Sequence, residues 1–238
     1  MSGRLYFRQF LAGRDFAIDD ELAQSMRNFT YAIGDRDAGE ALLVDPAYRP
    51  GELVDLLSED GLVVTGAVAT HYHPDHIGGV LMAARHVDGV AKLREIVDVP
   101  LHVHVDEVDW VVARSGVAPD ALVTHRDGDV VTVGSVEVTL VHTPGHTPGS
   151  LCLVVGERLV SGDTLFIDGC GRTDLPGGNA EEMYRSLHER LIGVGDDVVV
   201  YPGHLYSAEA HLAMGLVRER NFVFAPRSLE EWLAMFAA

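Results

Sequence analysis

Three histidines and one aspartate fall within the short segment THYHPDH, at His71, His73, Asp75 and His76. In an extended segment His71 and His73 point to the same side, because side chains alternate along such a chain. Pro74 disfavours helical geometry at the preceding His73, which separates this pattern from helical metal motifs with paired histidines. The spacing therefore predicts ligands for two neighbouring metal positions, His71 with His73 and Asp75 with His76.

Later segments must complete both positions, because a catalytic metal takes three or more protein ligands beside an exchangeable water. His146 lies between two Pro-Gly pairs in TPGHTPGS and is favoured over His142, which continues the apolar alternation of a strand. Asp163 in SGDTLF is placed to bridge two cations, or alternatively to form a turn. His204 follows Pro-Gly in YPGH. These three residues are the predicted partners of the THYHPDH segment.

The candidate ligands follow apolar runs that are typical of strands. The predicted strands are 27–33, 40–45, 62–70, 129–133, 135–142, 150–155, 158–162 and 197–201. Helical periodicity predicts helices over 51–59, 79–86, 106–114, 180–191, 207–220 and 228–236, with caps at Asn179, Ser207 and Ser228. Two β-rich layers flanked by helices fit this order, and residues 1–238 are predicted to form a single domain.

Composition narrows the classes of function. With 36 acidic and 18 basic residues the formal net charge is -18, which disfavours nucleic acid as a partner. The N-terminus lacks the apolar stretch of a secretory signal, and the longest uncharged stretch is too polar to span a bilayer. We therefore expect a cytoplasmic protein that acts on a small molecule without contacting a membrane, and oligomeric state stays open.

Cys152 is predicted to be a core thiol, and Cys170, between two glycines, a structural or oxidisable one.

The combined motifs strongly resemble the metallo-β-lactamase superfamily over about residues 27–206. The resemblance implies an α+β fold: a four-layer αββα sandwich of two mixed β-sheets flanked by helices. It also implies three ligands on each of two metals, with one carboxylate bridging them. The implied ligands are His71, His73 and His146 on the first metal, Asp75, His76 and His204 on the second, and Asp163 between them.

Within that superfamily the segments GDTLFIDGCGRTD and GHLY are most similar to glyoxalase II and persulfide dioxygenases. The resemblance implies that Tyr206 contacts the thiol part of a glutathione-type substrate. Arg172 is a candidate for binding the substrate's anionic or thiol portion, and its alternative is an ion pair with Asp168 or Asp174. Residues 85–104 are predicted to be an insertion relative to persulfide dioxygenases.

Three functions follow from the resemblance and the ligand types. The first is a dinuclear hydrolase of a thioester or related activated ester, similar to hydroxyacylglutathione hydrolase. It would use two divalent ions, with Zn²⁺ favoured over Fe or Mn, a metal-bridging hydroxide as nucleophile, and Asp75 to orient that hydroxide. The second is a persulfide dioxygenase with a single Fe²⁺ held by His71, His146 and Asp163. The third, a non-catalytic metal-binding protein, is disfavoured by the complete ligand set.

Overall fold

The chain combines strands and helices, and the computed structural model describes residues 3–81 and 85–236. The strands are β1 Leu5–Leu11, β2 Phe29–Asp35, β3 Glu40–Val44, β4 Val63–Val68, β5 Gly79–Val80, β6 His86–Val87, β7 Leu101–His104, β8 Leu122–His125, β9 Val130–Val133, β10 Val136–His142, β11 Leu151–Val155, β12 Arg158–Gly162, β13 Val199–Pro202 and β14 Leu212–Ala213. The helices are α1 Glu21–Met26, α2 Pro50–Glu59, α3 Pro74–Ile77, α4 Val90–Ile96, α5 Val108–Ser115, α6 Ala180–Arg185, α7 Met214–Arg220 and α8 Leu229–Phe236.

Two six-stranded sheets carry the architecture. Their strand orders are β1-β2-β3-β4-β7-β8 and β14-β13-β12-β11-β10-β9. Both sheets are mixed, since β3, β4, β7 and β8 run parallel in the first and β12 and β13 run parallel in the second. Parallel neighbours require crossover connections, and α2 and α4 provide them between β3, β4 and β7.

Three apolar clusters show how the layers stack. Tyr31 and Ile33 of β2 lie in the cluster between the two sheets, while Ala32 belongs to a second cluster with Leu53 of α2. Met183 of α6 lies in the third cluster, on the outer side of the second sheet. Each fully buried side chain of this size stabilises the fold by roughly 1.5–3 kcal/mol. The predicted αββα sandwich is confirmed.

Every predicted strand is present, with ends displaced by no more than two residues. The caps predicted at Asn179 and Ser228 are confirmed, because their side chains accept hydrogen bonds from the amides of Glu182 and Glu231 at 3.1 and 3.2 Å. Cys152 is a buried core residue, as expected. Continuous and alternating apolar runs therefore made these strands predictable.

Two predicted helices were wrong in whole or in part. Over 79–86 the described ends pair as the strands β5 and β6, and residues 82–84 lie outside the described part of the chain. Gly79 adopts a φ of +122°, which a helix does not accommodate. The helix predicted over 207–220 begins only at Met214, because Leu212–Ala213 pairs with β13 and the Ser207 hydroxyl donates to the Glu209 carbonyl instead of capping.

The segment 85–104 forms part of the first sheet. It supplies α4 and then β7, which lies between β4 and β8 as an inner strand. The segment is therefore built into the layer that carries the THYHPDH loop and is not an appendage to it. Within the described residues, no helix has both the length and the apolar character needed to cross a bilayer.

Candidate metal centre

The seven predicted ligands meet at one edge of the sandwich, on loops that follow strands. Residues 70–76 follow β4 of the first sheet, whereas His146, Asp163 and His204 follow β10, β12 and β13 of the second. Loops on a rigid scaffold are the usual location of functional side chains. The site therefore lies on the seam between the sheets, and both sheets contribute to it.

The THYHPDH segment changes conformation at its proline. His73 is extended, with φ -65° and ψ 140°, and the one-turn helix α3 begins at Pro74. His71 and His73 therefore project from extended chain, while Asp75 and His76 project from the helical turn. This change of geometry separates the two predicted pairs.

Three imidazole nitrogens form the first donor set. His73 Nδ1 lies 3.1 Å from His71 Nε2 and 2.9 Å from His146 Nε2. Burial lowers the pKa of His73 to about 3 and also lowers the pKa values of His71 and His146. The three rings are therefore neutral at physiological pH, the form in which imidazole binds metals.

The second donor set contains one carboxylate and two imidazoles. His76 Nε2 lies 3.2 Å from His204 Nε2, and Asp75 Oδ2 lies 3.6 and 3.5 Å from these two nitrogens. Burial opposes protonation of His76, but Asp163, Asp75 and Asp45 together raise its pKa to about 10. The pKa of His204 is also raised, against burial, chiefly by Asp163. A cation entering this set displaces protons, which links its binding to pH.

Asp163 faces both donor sets. Its Oδ1 lies 3.4 Å from His76 Nε2, and its Oδ2 lies 3.3 Å from His204 Nε2 and 3.7 Å from His146 Nε2. Although the side chain is buried, Oδ1 accepts no hydrogen bond from the described residues. A buried carboxylate oxygen that accepts no hydrogen bond is costly in free energy. The nitrogen and oxygen atoms around it are ligand types that suit Zn, Fe or Mn. The donor set therefore fits divalent cations.

Hydrogen bonds on the far side of the rings fix four of the five histidines. Each of these rings places Nδ1 against an acceptor, which leaves the Nε2 lone pair facing the site. The contacts are His71 to Thr70 Oγ1 at 3.0 Å, His76 to Asp45 Oδ2 at 2.9 Å, His146 to the Arg172 carbonyl at 2.7 Å and His204 to the Met26 carbonyl at 2.9 Å.

Asp45 is a functional residue that the sequence did not reveal. Its Oδ1 accepts from the Thr70 amide at 2.7 Å, and its Oδ2 accepts from the Thr70 hydroxyl at 2.6 Å and faces His76 Nδ1. Its backbone is left-handed, with φ +53°, a conformation that is uncommon outside glycine and asparagine. In the sequence it ended the predicted strand 40–45, and a charged residue at the end of an apolar run was its available signal.

Asn28 contacts the second donor set and was also missed. The Tyr48 hydroxyl donates to Asn28 Oδ1 at 2.7 Å, so the amide nitrogen points into the site. That nitrogen donates to Asp75 Oδ2 at 3.0 Å and lies 3.2 Å from His76 Nε2 and 3.4 Å from His204 Nε2. The sequence placed Asn28 within the predicted strand 27–33, where its contacts with distant loops are invisible.

Glu107 joins the two loops that form the first donor set. It is almost fully buried and accepts from the Tyr72 amide at 2.8 Å and from the Gly149 amide at 2.6 Å. Burial raises its pKa to about 7, although these amides favour the charged form. Tyr72 lies between two ligands, so Glu107 holds the THYHPDH loop against the loop that carries His146.

The donor sets line a cavity of about 570 Å³. The ring of Tyr206, one of the predicted substrate-binding residues, lines the same cavity and stacks on His204 with centroids 4.5 Å apart and planes 10° apart. Burial, aided by Asp163 and Asp75, raises the pKa of the Tyr206 phenol. The phenol is therefore a protonated hydrogen-bond donor beside the second donor set.

Arg172 and Cys170 lie on the wall of this cavity. The Arg172 guanidinium donates to both carboxylate oxygens of Asp174, at 2.9 and 2.7 Å, so the ion pair considered as its alternative role is present. Burial raises the pKa of the Cys170 thiol to about 12, which keeps it from acting as a thiolate at neutral pH. Contact of Arg172 with substrate stays a prediction.

The fold and the donors together define an αββα protein with a metal site at its edge. Residues 27–204 match the family profile described as the metallo-beta-lactamase superfamily. This match covers more than half of the chain, and the chain belongs to that superfamily. The resemblance predicted from the motifs is confirmed.

Relatives of two kinds are similar to the chain. The crystal structure of ETHE1 from Myxococcus xanthus superposes with a TM-score of 0.78 at 30% identity, covering 98% of this chain and 90% of that one. Human persulfide dioxygenase ETHE1 is 34% identical over 75% of this chain and 64% of its own length. The probable polyketide biosynthesis zinc-dependent hydrolase BaeB of Bacillus velezensis is 28% identical over 88% of this chain and 87% of its own.

Proposed function

We propose that this protein is a hydrolase that uses two divalent cations to cleave a thioester or a related activated ester. The observation that carries the proposal is the position of Asp163, whose two oxygens face both complete three-donor sets. The similarity to BaeB, whose name describes a zinc-dependent hydrolase, supports Zn²⁺ as the metal.

The seven predicted ligands have defined roles in this proposal. The first cation would be held by His71, His73 and His146, the second by Asp75, His76 and His204, and Asp163 would contribute to both. When bound, such cations polarise a carbonyl and lower the pKa of water towards neutrality.

Residues of the chain would guide the protons and the leaving group. The Asp75 carboxylate, already turned towards the second set by Asn28, accepts and orients the proton of the attacking water. The Tyr206 phenol donates a hydrogen bond to the departing thiolate.

Persulfide oxygenation is the second candidate, and the similarity to ETHE1 over nearly the whole chain favours it. In that case His71, His146 and Asp163 would hold one Fe²⁺, and the second donor set would carry no cation. The two candidates therefore differ in the number of metals that the active protein contains.

Metal analysis of the purified protein, together with two activity assays, distinguishes the candidates. We expect two metals per chain, hydrolysis of acyl thioesters and no persulfide-dependent oxygen uptake. One iron per chain with oxygen uptake and no thioester hydrolysis would reject the hydrolase and support the dioxygenase. A metal-loaded protein inactive in both assays would reject both.

A further inference from the structure

Apolar side chains form the walls of the cavity above the metal donors. They come from distant parts of the chain, so the wall is assembled by the fold and is not a local sequence feature. The apolar wall residues are Met26, Leu81, Phe166, Leu175 and Phe222. Phe222 is 54% exposed at the rim and belongs to none of the three core clusters. An exposed apolar rim that is continuous with an apolar pocket is typical of a ligand site.

Charge on the wall disfavours an anionic ligand. Among the described lining residues, Arg172 carries the single guanidinium or ammonium group, and Asp174 binds it at both oxygens. Asp168 adds a carboxylate to the same wall. The net charge of -18 adds no long-range attraction for an anion. A thiol carrier with several carboxylates or phosphates therefore finds no free cationic partner on this wall.

We propose that the cavity binds the acyl group of the substrate, and that the preferred substrate is a thioester with an apolar acyl chain on an uncharged thiol. This inference rests on the proposed hydrolase function and adds the class of substrate. The donor sets place the reacting carbonyl at the floor, since ligands of both cations line the cavity. The acyl chain then lies against Phe166, Leu175 and Phe222, and the thiol lies beside the ring of Tyr206, which is 55% exposed.

A series of straight-chain thioesters on one neutral thiol tests the proposal with the metal-loaded protein. Acetyl, butyryl, hexanoyl and octanoyl esters of N-acetylcysteamine are compared with S-lactoylglutathione. Each buried methylene is expected to raise kcat/KM about fourfold until the chain fills the wall. Equal rates along the series, or a preference for S-lactoylglutathione over hexanoyl thioester, would overturn the proposal.

Phe222→Asp and its matched control locate the effect. Phe222→Asp places a carboxylate at the rim and is expected to abolish the gain from acetyl to octanoyl, whereas Phe222→Leu retains it. Ile192→Asp makes the same change at a 65% exposed residue outside the lining and should leave the series unchanged. If kcat/KM still rose from the acetyl to the octanoyl thioester in Phe222→Asp, the assignment of Phe222 to the acyl-binding wall would be contradicted.

Binding of non-hydrolysable thioethers separates this inference from the proposed function. Octyl and ethyl thioethers of the same thiol are titrated into the protein by calorimetry. Tighter binding of the octyl compound, weakened by Phe222→Asp, supports the apolar wall even where no thioester is hydrolysed, and in that case the hydrolase proposal alone fails. Hydrolysis without dependence on chain length leaves the hydrolase standing and rejects the substrate class.

Discussion

At the scale of single residues, one carboxylate lies between the two donor sets and one neighbour outside them supports only the second set. Asp163 lies beside nitrogens of both sets. The amide nitrogen of Asn28 donates to Asp75 and lies near His76 and His204, so its contacts with donors are confined to the second set. Outer partners of this kind orient ligands, and their loss usually costs about 10- to 100-fold in metal affinity. The two residues should therefore separate the two metal positions experimentally.

Asp163→Ala is expected to lose both cations and activity together, because among the described residues it is the carboxylate that lies within 3.7 Å of imidazole nitrogens in both sets. Asn28→Ala is expected to retain the first cation and to bind the second about 10- to 100-fold more weakly. Competition with a chelator, followed by metal analysis, measures both affinities without relying on activity.

Gln9→Ala is the matched control for Asn28. Its amide also makes buried contacts, to the Tyr31 hydroxyl and the Ala210 carbonyl, but reaches no donor. It should leave both affinities unchanged. The assignment of Asn28 to the second position would be contradicted if Asn28→Ala bound both cations equally more weakly. The assignment of Asp163 to both positions would be contradicted if Asp163→Ala still bound both cations.

The residues that the sequence revealed and the residues it hid differ in physical kind. Predicted ligands such as His146 were visible because their side-chain chemistry is rare and because prolines and glycines mark their loops. Asp45, Asn28 and Glu107 act through partners far along the chain, such as Thr70 or Gly149, and those contacts exist only after folding. Their types and local spacing are ordinary, so no local pattern identified them.

At the scale of elements, the precision of the first donor set depends on how two loops are joined. His71 and His73 come from the loop after β4, and His146 comes from the loop after β10. Glu107, just before α5, accepts a backbone amide from each loop. The first metal position is therefore held by a carboxylate outside it.

Glu107→Ala is expected to lower the free energy of unfolding by about 3 kcal/mol, because two buried amides lose their acceptor. It should also weaken binding of the first cation more than binding of the second, whereas Asn28→Ala should have the reverse effect. Urea unfolding and chelator competition measure the two effects. Glu95→Ala is the control, because it removes only an exposed ion pair with Lys92. It should lower the free energy of unfolding by no more than about 1 kcal/mol. An equal loss of stability in both variants would rule out the proposed role of Glu107.

Elements were predictable where apolar residues are continuous, as in β2, or alternate, as in β9, and were missed where polar residues interrupt the pattern. The strand β1 contains Arg8 and Gln9, which obscure its period, yet Phe10 within it is fully buried. The helix predicted over 79–86 failed because glycine geometry overrode a helical pattern. Segment 85–104 lacked a recognised strand because histidines occupy two of the four positions of β7.

At the scale of the whole molecule, the site requires the two sheets to keep their relative position. Asp35, at the end of β2, accepts from the amide and the hydroxyl of Ser135, in the turn between β9 and β10, at 2.8 and 2.6 Å. The hydroxyl and amide of Ser135 lower the pKa of Asp35 to about 2. The contact fastens the sheets at a point remote from the metal donors.

Asp35→Asn is expected to be less stable than the wild type at pH 7, and the difference should shrink as the pH falls. The folded pKa of Asp35 lies below its unfolded value of about 3.9, so its contribution is complete above that value and is lost as pH falls towards 2. Urea midpoints at pH 7, 4 and 3 measure the trend. Asp55→Asn, an exposed helical residue, is the control, and a difference that is independent of pH would contradict the role of Asp35.

The distribution of donors along the chain sets an order in which cations can be captured during synthesis. His73 and His146 are 73 residues apart, whereas His76 and His204 are 128 residues apart. A ribosome that adds roughly 5–20 residues per second completes the first set several seconds before the second. A nascent chain therefore passes through an interval in which one cation can be enclosed by three imidazoles while the second position still lacks a ligand. We therefore expect metal supply during translation, and not only affinity in the finished protein, to influence which metal occupies each position.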